Sequence, residues 1–140
     1  MPDILHEVVI EAEPDKVYAA LTEQESLARW WTRQATAEPE VGSVDQFVFN
    51  GGRFTIKMEI TELEQGKKVA WKVRQGAPHW QGTQVSWQLT PVEHGTSLLF
   101  GHLGFASTDG SFPSTSYTWA TYITSLKAYL ETGKGAPNAG

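Results

Sequence analysis

The chain has 140 residues, 40% of them hydrophobic and 19% charged, which fits one folded domain over residues 1–140 and excludes a disordered chain. Its 11 Lys and Arg against 16 Asp and Glu leave a net charge of −5 with no basic run, so nucleic acid and anionic membranes are excluded as main partners. It has no cysteine, which excludes disulfides, thiol catalysis and thiolate metal sites.

No apolar run approaches the roughly 18 residues of a membrane span. Met1-Pro2-Asp3-Ile4 lacks the basic-then-apolar order of a secretion signal, so a soluble cytoplasmic protein is expected. Ile4 to Ala12 reads as a first strand, with Ile4, His6, Val8, Ile10 and Ala12 on one face. Pro14 and Asp15 open a short helix whose buried face is Val17, Tyr18 and Leu21. Thr22 and Glu25 have the spacing of a capping box, which places the start of a second short helix there, carrying Leu27, Trp30 and Trp31.

After the break at Glu38-Pro39-Glu40-Val41-Gly42 the pattern turns to strands. Val44 to Phe49 ends at Asn50-Gly51-Gly52, a hairpin signal. Arg53 to Leu63 alternates, with Phe54, Ile56, Met58 and Ile60 inward and Thr55, Lys57, Glu59 and Thr61 outward. Val69, Trp71 and Val73 form the inward face of the next strand; Gln75 to Gln81 is a loop. Thr83 to Thr90 turns Val85, Trp87 and Leu89 inward, and Thr96 to Phe105 turns Leu98, Phe100 and His102 inward. A polar linker, Ala106 to Ser111, leads to a long helix with Trp119, Tyr122, Ile123, Leu126 and Leu130 along one stripe. About 18 residues at 1.5 Å each make it about 27 Å long. Thr132 to Pro137 reads as a helix stop and a frayed tail. The class is α+β: a curved antiparallel sheet around a C-terminal helix, with two short helices after the first strand.

The order of these pieces resembles the START-like helix-grip superfamily, also labelled SRPBCC, in the branch similar to the C-terminal domain of the heat-shock-protein-90 ATPase activator. The residues that carry the resemblance are Ile10-x-Ala12 with Pro14 and Val17, Trp30-Trp31, Pro39-x-Val41-Gly42 and Phe47-x-Phe49. Val85-x-Trp87-x-Leu89-Thr90-Pro91, His102-x-Gly104-Phe105, Trp119 and Leu126-Lys127-x-Tyr129-Leu130-Glu131-x-Gly133 complete it. The resemblance implies a cavity between sheet and long helix that takes a small hydrophobic or aromatic ligand. It also brings a chaperone interaction and a homodimer into view. It calls for no cofactor.

Six tryptophans in a chain of this length are the other signal. Trp30, Trp31, Phe47, Phe49, Trp71, Trp87, Phe100 and Trp119 fall on inward faces, where they either fill a solid core or line the implied cavity. Met58, Phe105, Tyr122 and Ile123 complete the candidate ligand-binding set. His102 is its polar member: a structural histidine, a group that orients a ligand, or, with Tyr117, an acid/base pair of a cyclase or hydrolase. No carboxylate stands at an orienting spacing from it. His6, His79 and His102 match no metal-ligand spacing, and no nucleophile elbow or phosphate loop is present. Gly104 to Ser116 is either a gate at the cavity mouth or an ordinary connection.

Overall fold

A computed structural model describes all residues, 1–140. Strand β1 (Ile4–Ile10) leads into helices α1 (Pro14–Thr22) and α2 (Gln24–Trp30). Then come β2 (Gln34–Thr36), β3 (Val44–Phe49), β4 (Phe54–Glu64), β5 (Lys68–Gln75), β6 (Gln84–Val92) and β7 (Gly95–Leu103). The long helix α3 (Phe112–Thr132) has 21 residues, about 31 Å at 1.5 Å each. No helix is long and apolar enough to cross a membrane.

All seven strands form one antiparallel sheet in the order β1-β7-β6-β5-β4-β3-β2. Strands β3 to β7 follow one another by hairpins, and β1 closes against β7 in the register Ile4 to His102 and Ile10 to Thr96. Two register shifts between β4 and β5 add local bend and twist, which helps the sheet curl. The inward alternation holds throughout: Phe47, Ile56, Met58, Ile60, Val69, Trp71, Val85, Trp87, Leu98 and Phe100 are buried. Helix α3 lays Trp119, Ile123 and Leu126 onto this face, and α1 and α2 add Val17, Leu21, Leu27 and Trp30. The architecture is the helix grip that the sequence implied.

Four local features differ from the sequence reading. Thr22 does not cap α2: it is the last residue of α1, and its hydroxyl donates to the Tyr18 carbonyl at 3.0 Å instead. A hydroxyl inside a helix finds the carbonyl four residues back more readily than an amide ahead of it. Gln34 to Thr36, which carries no alternation long enough to read, forms edge strand β2 on β3. Pro78 to Trp80, inside the expected loop, is a 3-10 turn that buries Trp80. The tail is not frayed. Gly133 adopts φ 84°, a left-handed helix stop suited to glycine. The chain then returns across α2: the Ala136 N–H donates to Ser125 Oγ at 2.7 Å, the Asn138 N–H to the Trp31 carbonyl at 2.9 Å, and the Arg33 N–H to the Asn138 carbonyl at 2.9 Å.

Candidate functional site

Most of the space between α3 and the sheet is filled. Trp31 lies at its centre, with ring centroids 4.2 Å from Phe47, 5.3 Å from Trp119 and 5.8 Å from Trp30, Phe49 and Trp71. Trp87 meets Trp71 edge to face at 5.5 Å and Phe100 at 4.7 Å; Phe100 meets Trp119 at 4.6 Å. Edge-to-face and offset contacts of this kind add to the burial of large apolar area. Trp30, Phe47, Met58, Trp71, Trp87, Phe100 and Ile123 are thus parts of a packed interior. The indole N–H groups of Trp71 and Trp87 have no hydrogen-bond acceptor there.

His102 belongs to that interior and is fully buried. The Trp119 indole N–H donates to its Nδ1 at 3.1 Å, and its Nε2 lies 2.8 Å from Thr83 Oγ1. An indole N–H can only donate, so Nδ1 is bare and Nε2 carries the proton. The Thr83 hydroxyl passes the chain on to the Trp80 carbonyl. Burial first, and the neighbouring His79 second, lower the His102 pKa from 6.5 to about 3. Both ring nitrogens are engaged by protein, and the ring is neutral. Tyr117, paired with it in the acid/base reading, is 78% exposed on the outer side of α3. Phe105, also buried, packs against His102 at 4.5 Å and edge to face with Phe112 at 5.0 Å.

The packing stops at one end. Between the first half of α3 and the β3–β4 hairpin lies an open-mouthed cleft of about 380 Å³. Trp31, Phe49, Trp119 and Tyr122 from the sequence-derived set line it. Phe54, Ile56, Ala77 and Trp80 extend its apolar wall. Trp80 is the largest of the lining residues outside the sequence-derived set. Gly76 lets it fold in, since a Cβ there would lie 2.6 Å from the Trp80 ring. The legible signal was an isolated Trp in a Gly- and Pro-flanked loop.

Helix α3 and its N-cap also bring a row of hydroxyls to the cleft. Ser111, Ser114, Thr115 and Thr118 line the cleft at offsets of 0, 3, 4 and 7, one face of a helix. Thr115 Oγ1 accepts from the Trp80 indole N–H at 3.4 Å, and His79 holds Ser111 and Thr115 from the rim at 2.8 and 3.3 Å. Asn50 and Asn138 form the far lip, the Asn138 amide donating to Asn50 Oδ1 at 3.1 Å. No Asp, Glu, Lys or Arg lines the cleft. It can hold an apolar body against aromatic rings and exchange hydrogen bonds along one side. It brings no acid and base together.

The family description "Activator of Hsp90 ATPase homolog 1-like protein" matches residues 11–131, and the chain belongs to that family. No curated protein matches it. Among solved structures, the Aha1 dimer from Colwellia psychrerythraea is 38% identical, with a TM-score of 0.88, over 96% of this chain and 100% of that one. A Staphylococcus saprophyticus protein shares the fold at 18% identity, with a TM-score of 0.82 over 99% of this chain and 98% of that one. DynU16, a protein in the dynemicin biosynthetic locus, does so at 24% identity and a TM-score of 0.79, over 95% of this chain and 48% of that one.

Proposed function

We propose that this member of the Hsp90-ATPase-activator-like family binds a small, uncharged, amphipathic aromatic molecule in the cleft between α3 and the β3–β4 hairpin. The observation that carries the reading is the pairing of an aromatic wall with a hydroxyl row in a concavity without charged side chains. A volume of about 380 Å³ lies at the lower end of the usual range for small-molecule sites, roughly 300–1,000 Å³. Aromatic faces take the apolar body, and the hydroxyls of Thr118 and Tyr122 at the cleft satisfy a polar edge. A ligand carboxylate finds no cation there, so its desolvation is uncompensated. His102 is a strut in this reading, holding Trp119 and Trp80 at the cleft wall.

Calorimetric titration with 2-naphthol and with 2-naphthoate tests it. The neutral probe should bind roughly 10- to 100-fold more tightly than the anion. Thr118→Trp, which fills the cleft from an exposed helix position, should abolish binding. Equal affinity for both probes, or binding unchanged in Thr118→Trp, would refute it.

A second reading concerns assembly, and the observation that favours it is the dimeric Colwellia psychrerythraea relative, aligned over almost the whole chain. We infer that this protein pairs with a second copy and acts partly through its surface. The family description makes a chaperone the protein partner to test against such a dimer.

A further inference from the structure

The outer face of the sheet is divided in two. On β4 and β5 it carries Lys57, Glu59, Lys72 and Arg74, with Arg74 paired to Glu59. On β6, β7 and β1 the outward positions are almost free of charge. Alternation places Gln84, Ser86, Gln88, Thr90 and Val92 outward on β6, and Ser97, Leu99, Gly101 and Leu103 on β7. On β1 it places Leu5, Glu7 and Val9 outward. Glu7 is the one charged residue among these twelve.

This half also collects exposed apolar area. Leu5 is 61% exposed, Val9 50% and Val92 40%. The register sets Leu5 opposite Gly101, Glu7 opposite Leu99 and Val9 opposite Ser97, so Leu5, Val9, Leu99 and Leu103 are neighbours across one strand pair. Charge depletion around an apolar centre with an uncharged polar rim is the composition of a protein interface.

From this patch we propose that the outer face of β1, β7 and β6 is the surface on which a second copy of this chain docks. The proposal rests on the dimer reading above and names its interface. The occupant is a second copy because the relative that is 38% identical over 96% of this chain is itself a dimer. The contact is made face to face, not by adding a strand to the β1 edge. That edge is closed toward its end: Lys127 Nζ donates to the Val9 carbonyl at 2.6 Å, and the Glu11 N–H donates to Glu131 Oε2 at 2.9 Å. An incoming strand would have to break both. Face-to-face docking leaves them intact and covers Leu5 and Val9 in each copy.

Sedimentation velocity across a concentration series tests the proposal with the wild type, Leu5→Lys/Val9→Lys, and Leu99→Glu. Val44→Lys serves as control, since Val44 is 51% exposed at the opposite side of the sheet. Near-ultraviolet circular dichroism reports whether each variant is folded. The wild type and Val44→Lys should dimerise alike. Leu5→Lys/Val9→Lys should raise the dimer dissociation constant by roughly 100-fold or more while remaining folded. Because its sites are exposed, this variant decides the outcome even where Leu99→Glu fails to fold. A dimeric wild type whose Leu5→Lys/Val9→Lys variant dimerises equally well would overturn the interface and leave the dimer reading standing. A wild type that stays monomeric at every concentration would overturn both.

Discussion

One buried histidine should make this protein sensitive to acid. His102 is fully buried with a pKa lowered from 6.5 to about 3, by burial first and His79 second. The unfolded chain takes up a proton on this ring below its ordinary value, whereas the folded chain does not until about 3. Its contribution to stability is therefore complete above pH 6.5 and is lost as the pH falls from 6.5 to about 3. One proton separates the two states across that window, a slope of about 1.4 kcal/mol per pH unit, and the full difference approaches roughly 5 kcal/mol. A whole small domain is stable by only about 5–15 kcal/mol. Urea unfolding at a series of pH values, on the wild type and His102→Gln, reads the effect. Glutamine offers an acceptor to Trp119 and a donor to Thr83 but does not titrate. Subtracting the two curves cancels the carboxylates common to both proteins. The difference should fall steadily as the pH drops below 6.5. Parallel curves down to about pH 4 would show that the folded ring protonates near its ordinary value, and would refute the neutral, buried strut.

Three further outcomes follow from the same geometry. Trp119→Ala should cost about 3–5 kcal/mol in denaturant unfolding, because the ring packs against Trp31, Trp87 and Phe100. Trp119→Phe, which keeps most of the bulk but removes the donor to His102, should cost about 1–3 kcal/mol. Asp45 is buried with one carboxylate oxygen unpaired, and burial raises its pKa against the lowering effect of the Ser43 hydroxyl and the Glu38 N–H. Stability from a raised carboxyl is lost as the pH rises through its folded pKa, so Asp45→Asn should gain stability relative to the wild type as the pH rises through that value. That gain should shrink on acidification, read by thermal melts at paired pH values. Removing residues 136–140 should cost about 1–3 kcal/mol in the same melts, through the hydrogen bonds of Ala136 and Asn138, and should weaken binding in the cleft by taking away its Asn138 lip.

The sheet and the long helix were legible because their burial follows a period. Phe54 to Ile60 and Val85 to Leu89 alternate, and Trp119, Ile123 and Leu126 recur at helical spacing, so the inward set could be assigned residue by residue. What the pattern could not give was which inward rings pack and which border a gap. Trp31 and Phe49 line the cleft while Trp30 and Phe47 lie behind it, a division set by tertiary packing and not by periodicity. Trp80 and the Ser111–Thr118 row were missed because each depends on a long-range partner. The 3-10 turn at Pro78 carries Trp80 onto Thr115, 35 residues on. The Gly- and Pro-rich composition of the tail predicts fraying, yet Asn138 finds Trp31 and Arg33 across α2. Parity placed His102 inward; the donor that fixes its tautomer, Trp119, lies 17 residues away on another element.

The cleft itself is tested most directly by the six tryptophan side-chain N–H resonances of isotope-labelled protein. On titration with 2-naphthol, the signals of Trp31, Trp80 and Trp119, which line the cleft, should shift together and saturate with one dissociation constant. Those of Trp30, Trp71 and Trp87, outside the cleft lining, should move little. Saturable shifts confined to Trp30, Trp71 and Trp87, or no saturable shift at any of the six, would contradict a ligand site between α3 and the β3–β4 hairpin.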